Sequence, residues 1–208
     1  MVVVGLTGGI GSGKSTVGRL LVERGAVLVD ADRVAREVVA PGEPTLAALV
    51  ERFGRQVLAP DGRLDRPALG AIAFSDEEAR NDLERLTHPA IRAEMLRQVA
   101  SAQASDPDVV VVLEIPLLAE VGRDRYPVVG VVVVDAPVEL AVARLVAGRG
   151  LTEADASARV AAQAGRSARL AIADVVIDNS GDLDHLRAEV DRTWRWIQER
   201  REVAGGSD

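Results

Sequence analysis

Apolar residues along this chain follow two patterns. Five short runs are apolar at nearly every position: Val2-Val3-Val4 with Leu6, Ala26 to Val29, Val109 to Leu113, Val128 to Val134, and Asp174 to Ile177. Runs without polar alternation are buried on both faces, as in a parallel sheet covered by helices. Between them, apolar positions recur at the three- and four-residue spacing of a helix. In Ser15 to Glu23, Val17, Leu20 and Leu21 share one face and Gly25 closes the turn. The alternation of runs and helices predicts an α/β fold built on a five-stranded parallel sheet.

The stretch from Arg33 to Ala104 breaks this alternation. It carries only helical signals: Asp32 ahead of Arg33 to Val39, Thr45 ahead of Leu46 to Val50, Asp65 ahead of Pro67-Ala68-Leu69, and Ser75 with Glu78 as a capping box. Pro60-Asp61-Gly62 marks a turn, and Thr87 with Pro89 is expected to start the last of these helices. A parallel crossover needs only a dozen or so residues, so residues 33–104 are expected to form an inserted helical domain. The final helix, from Leu183 to Glu202, carries Trp194 and Trp196 two positions apart. One is expected to pack and the other to be partly exposed. The tail, residues 204–208, is expected to be disordered.

The charge and residue content remove several function classes. A length of 208 residues suits one core with an insertion. The net charge of −7, with no basic tract, argues against nucleic acid or anionic membrane as a partner. No cysteine is present, so disulfides, thiolate nucleophiles and zinc–thiolate sites are excluded. Met1 leads directly into a strand and no apolar run reaches membrane-spanning length, which predicts a cytoplasmic protein. Nothing points to an obligate protein partner.

The strongest chemical motif follows the first strand. Gly8, four intervening residues, Gly13, Lys14 and Ser15 satisfy the phosphate-binding loop pattern. A triphosphate lies close over such a main chain, so side chains must be absent where backbone N–H groups turn inward. Gly11, Ser12, Gly13, Lys14, Ser15 and Thr16 are the expected ATP contacts. Lys14 would bridge the β- and γ-phosphates and Ser15 would offer its hydroxyl to Mg²⁺. Lys14 is also the only lysine, every other basic residue among the 25 Lys plus Arg being arginine. A compact ammonium fits beside two phosphates where a planar guanidinium does not.

Further candidates lie where strands end. Asp30-Ala31-Asp32 puts two carboxylates at the edge where open α/β sheets bind ligands, and extended geometry would aim both to one side. Asp32 also suits a helix cap, and the two roles are compatible. Glu114, ahead of Ile115-Pro116-Leu117-Leu118, is either a ligand to a Mg²⁺-bound water or the partner of an arginine. An arginine-dense block holds Arg144, Arg149, Arg159, Arg166 and Arg169. Arg149, within Gly148-Arg149-Gly150, sits in an expected flexible link to a helix opened by Thr152 and Asp155. Such a segment would fold over phosphates as a lid. His88 is open to a structural or a functional role.

Together these stretches resemble the dephospho-coenzyme A kinases of the P-loop nucleotide-kinase group. The resemblance runs from Gly5-Leu6-Thr7-Gly8-Gly9-Ile10-Gly11-Ser12-Gly13-Lys14-Ser15 through Asp30-Ala31-Asp32, His88-Pro89 and Glu114-Ile115-Pro116-Leu117-Leu118 to Ala173-Asp174-Val175-Val176-Ile177-Asp178-Asn179. It implies transfer of the ATP γ-phosphate to the ribose 3′-hydroxyl of dephospho-CoA, the last step of coenzyme A synthesis. It implies a P-loop core (residues 1–32, 105–143 and 171–203), a helical acceptor-binding domain (33–104) and a lid (144–170). Asp32 then resembles the group that accepts or orients the hydroxyl proton, and Arg144 and Arg149 the lid cations. His88, Pro116 and Leu117 match the acceptor site, and Asn179 lies near the adenine position. Ala119 replaces a usual aromatic and Leu140 a frequent glutamine. Another small-molecule kinase on this scaffold is the nearest alternative. A GTP switch needs a second lysine, and no dinucleotide-binding Gly-x-Gly-x-x-Gly register fits between Gly5 and Gly18.

Overall fold

The valine-rich runs form the strands of the computed structural model, which describes residues 1–205. Strand β1 (Val2–Gly8) leads through the glycine-rich loop into α1 (Lys14–Val22), and β2 (Val27–Asp30) follows. Four helices come next: α2 (Ala31–Glu37), α3 (Pro44–Phe53), α4 (Arg66–Ser75) and α5 (Glu77–Ser105). The chain then returns as β3 (Val110–Glu114), α6 (Leu118–Val121), β4 (Gly130–Asp135), α7 (Val138–Arg149), α8 (Glu153–Ala161), α9 (Arg166–Ala171), β5 (Val175–Asp178) and α10 (Leu183–Gly205). The chain forms two compact units, Ala31–Ala100 and the remainder.

In the larger unit all five strands are parallel in the order β2-β3-β1-β4-β5. From β1 the chain moves outward past β3 to β2, whereas from β3 it crosses β1 to reach β4. The connections leave these neighbouring strands in opposite directions, which opens a crevice at their carboxyl ends. Register brings Asp30 level with Glu114 and Asp135 level with Asp178. Strands β1, β3 and β4 are buried at every position, as their uninterrupted valines and leucines require. One face of the sheet closes on α1 and α10 through Leu6, Leu21, Val112, Ile177, Val190 and Ile197. Among helices of the described residues, none is long and apolar enough to cross a membrane.

Several local expectations are corrected. Asp32 is not the N-cap residue, because the helix already begins at Ala31, and extended geometry stops at Asp30. Helix α3 opens on Pro44 with Glu43 as its N-cap, displacing Thr45. The side chain of Asp76, not a Ser75–Glu78 box, accepts from the amides of Glu78 and Ala79, while the Ser75 hydroxyl donates back to the Ile72 carbonyl. No helix starts at Thr87. Helix α5 runs through Pro89, and the Thr87 hydroxyl donates to the Leu83 carbonyl at 2.7 Å. A proline normally interrupts a helix. Here buried residues before it (Ala79, Asp82) and after it (Met95, Val99) anchor both halves. Asp65 and Thr152 do cap their helices, accepting from the Ala68 and Asp155 amides. Trp194 and Trp196 are both half-buried against the core. The final helix continues to Gly205, and the rest of the expected tail, residues 206–208, lies outside the described residues.

Candidate active site

The glycines of the loop are required by what surrounds it. Gly8, Gly11 and Gly13 all have positive φ, a conformation that side-chain-bearing residues rarely adopt. A Cβ on Gly8 would meet the Val134 carbonyl, one on Gly11 the Ala141 carbonyl at 2.6 Å, and one on Gly13 the Asn179 amide. The end of β4, helix α7 and the turn after β5 therefore press on the loop from three directions. Lys14 Nζ donates to the carbonyls of Gly8 (2.8 Å) and Gly9 (3.3 Å), which folds its stem back over the loop. Ser15 stands exposed in the first turn of α1.

Asn179 ties the loop to the arginine helix. Its Nδ2 donates to the Ser12 carbonyl at 2.7 Å, and Arg144 Nη2 donates to the Asn179 backbone carbonyl at 3.0 Å. Among the described residues, two buried side-chain polar atoms remain without a hydrogen-bond partner, Ser12 Oγ and Arg144 Nη1. Buried polar groups are nearly always paired, so an unpaired hydroxyl and guanidinium nitrogen beside a phosphate-binding loop fit an anion arriving from outside. Asn179→Ala is expected to destabilise the protein by about 1–3 kcal/mol, because it strands the buried Ser12 carbonyl, while the bond from Arg144 to the backbone carbonyl of residue 179 survives. Urea unfolding without nucleotide measures this, and an unchanged midpoint would remove Asn179 as the tie.

Acidic groups end four of the strands. Glu114 is buried, and its Oε2 lies 3.1 Å from where a Gly18 side chain would start, against α1 one turn beyond Ser15. A hydroxyl and one carboxylate suit a hard cation that keeps several waters and takes its other ligands from phosphate, as Mg²⁺ does. No cluster of three acidic or histidine side chains among the described residues could hold a metal unaided. Asp135 receives Arg166 through both carboxylate oxygens (2.6–3.0 Å), and this hydrogen-bonded pairing raises the basicity of Arg166. Hydrogen bonds from Ser180 hold the Asp178 carboxyl below its ordinary range.

The expected site residues divide between the two units. The loop, Glu114, Pro116, Leu117, Arg144, Arg149 and Asn179 belong to the larger one. The Thr7 hydroxyl donates to the Pro116 carbonyl at 3.2 Å, fixing that turn beside β1, and Leu117 is exposed. Arg144 and Arg149 are both helical, since α7 runs to Arg149 and only Gly150 (φ 63°) breaks it. The link to α8 therefore begins only at Gly150 and spans residues 150–152, with Arg149 exposed at its edge. Asp32 and His88 belong to the smaller unit. There a cavity of about 380 Å³ is lined by Ala35, Val39, Leu69, Arg66, His88 and others of unit residues.

With this geometry in view, a dephospho-CoA kinase family model matches residues 2–185. The chain belongs to the dephospho-CoA kinase family. A dephospho-CoA kinase of Streptomyces avermitilis is 54% identical over 208 residues, covering 100% of this chain and 99% of the relative. One from Corynebacterium glutamicum is 50% identical over 92% of this chain and 95% of its own. Among solved structures, a Thermus thermophilus protein superposes with a TM-score of 0.79 at 35% identity, covering 93% of this chain and 96% of that one. The Campylobacter jejuni dephospho-CoA kinase gives 0.71 at 28% identity, with coverages of 95% and 97%. Membership makes the protein an ATP-using kinase that acts on a small molecule. The departures from the family pattern, Ala119 and Leu140, fall on α6 and α7, both half-buried.

Three supports around the loop escaped the sequence reading, Gln163, Glu120 and Asp135, and Arg169 of the arginine-dense block joins them. Gln163 accepts from the Ile10 amide at 2.7 Å, and the Arg169 guanidinium lies against Gly9. Glu120 accepts from the Ala164 amide at 2.9 Å, and Asp135 anchors Arg166. Asp135 was legible, because it ends an apolar run as Glu114 does. Gln163 left no local trace, since only the tertiary fold brings it to the loop.

Proposed function

We propose that this chain transfers the γ-phosphate of ATP to the ribose 3′-hydroxyl of dephospho-CoA, yielding coenzyme A and ADP. The observation that carries the reading is the reach of the family match, residues 2–185, over both the P-loop unit and the helical unit. Gly11 to Thr16 receive the triphosphate, Lys14 spans the transferring phosphoryl and its leaving group, and Asn179 lies toward adenine. Asp32 orients the acceptor hydroxyl and takes its proton. Arg144 and Arg149 neutralise charge on the equatorial oxygens, with residues 144–170 as a lid pivoting at Gly150. Residues 33–104 hold the acceptor, with His88 on their cavity, and Pro116 and Leu117 line its approach.

Ser15 and Glu114, the latter through water, would hold Mg²⁺. When bound, this ion supplies charge neutralisation across the β- and γ-phosphates. In-line phosphoryl transfer asks mostly for positioning and electrostatic stabilisation, which these parts provide. An assay with ATP and a panel of acceptors, followed by locating the new phosphate, tests the reading. Dephospho-CoA is expected to be the preferred acceptor, phosphorylated at the 3′-oxygen. Preference for a different small molecule would establish another P-loop kinase.

A further inference from the structure

Arg36 and Arg66 are among the arginines of the acceptor-binding unit that no carboxylate answers within the described residues, and the two lie close together. Arg66, the first residue of α4, donates to the Ala35 carbonyl at 3.1 Å and lines the 380 Å³ cavity. Neither Arg66 nor Arg36 forms an ion pair among the described residues, although Arg24, Arg33, Arg52, Arg80 and others do. Burial, and then the like charge of Arg36, lower the basicity of Arg66. Two neighbouring guanidiniums repel, and an anion bound by both relieves that repulsion. Glu84 is the one carboxylate on the cavity lining.

Their order along α2 is informative. Asp32 and Arg36 are four residues apart, hence on one face, about 6 Å along the axis at the helical rise. Ala35 and Val39 contribute to the cavity, whose floor continues through Leu49, Leu69 and Ala73. From one end, the unit offers a carboxylate, then paired cations, then an apolar trough. Dephospho-CoA has matching chemistry in the same order. Its ribose bears the reacting 3′-hydroxyl, a diphosphate hangs from the 5′-carbon of that ring, and a long amide-containing arm follows.

We propose that Arg36 and Arg66 clamp the diphosphate of the acceptor, fixing the ribose at Asp32 and directing the arm into the cavity. This rests on the acceptor reading above and adds the residues that would select a diphosphate-bearing acceptor over a bare nucleoside. Arginine pairs bidentately with phosphate oxygens, and the apolar cavity wall beside Arg66 reduces the competition from water.

The test is calorimetric titration of dephospho-CoA into wild type, Arg36→Ala, Arg66→Ala and Arg66→Lys, with steady-state kinetics on each. Arg36 makes no hydrogen bond or ion pair among the described residues, so Arg36→Ala probes the clamp without a structural cost. Each alanine variant is expected to weaken dephospho-CoA binding about tenfold, and the double variant about a hundredfold. The KM for ATP should hold, and Arg66→Lys should recover part of the loss. Unchanged dephospho-CoA affinity in Arg36→Ala and Arg66→Ala, beside a wild type that phosphorylates it, overturns the clamp alone. A wild type that transfers nothing to dephospho-CoA overturns the acceptor reading and the clamp with it.

Discussion

Asp32→Asn is expected to lower kcat by about a hundredfold or more, the scale of a lost general base. Asparagine keeps the size and a hydrogen-bonding oxygen of aspartate, but it takes up no proton at neutral pH. The acceptor hydroxyl would still be oriented while its proton had no destination. Loss confined to the transition state lowers kcat and kcat/KM alike, so the KM for dephospho-CoA and for ATP should each stay within about threefold. Asp32 is exposed in the first turn of α2, so its replacement does not open a buried site. Unfolding curves of the variant should overlie those of wild type. Steady-state kinetics with saturating ATP make the measurement, and near-normal turnover would remove Asp32 from catalysis.

Legibility in the sequence followed locality. Strands announced themselves because burial on both faces leaves only apolar residues, and Val110 to Glu114 or Gly130 to Asp135 need no partner to be recognised. The loop was legible because phosphate binding constrains backbone and side chains within one short window. Helix boundaries were less so, because several residues competed for each cap. Asp76 displaced the Ser75–Glu78 box, and tertiary burial carried α5 through Pro89. The site's supports were hardest to read. Gln163 at the Ile10 amide and Asn179 at the Ser12 carbonyl join residues more than 150 positions apart. Arg144 shows the intermediate case. Its chemistry was visible in the arginine-dense block, but its place within α7, beside Asn179, came from the fold.

Lys14→Arg should abolish most activity even though the charge is retained, with kcat/KM for ATP falling about a hundredfold or more. The lysine stem folds over the loop and its single nitrogen reaches two carbonyls, Gly8 and Gly9. A guanidinium is planar and wider, and its fork presents donors in one fixed plane. Room for it would require the loop to move, and the loop is braced. The Val134 carbonyl approaches Gly8, the Ala141 carbonyl approaches Gly11, and Asn179 fills the space at Gly13. Displacing Asn179 breaks its bond to the Ser12 carbonyl, so the misfit falls on the phosphates instead. Because Lys14 is only half-buried at the mouth of the loop, thermal stability should change little. The decisive comparison sets kcat/KM for ATP against Tm. A Lys14→Arg enzyme within tenfold of wild type would mean that charge alone suffices and that the single lysine of this chain has no geometric reason.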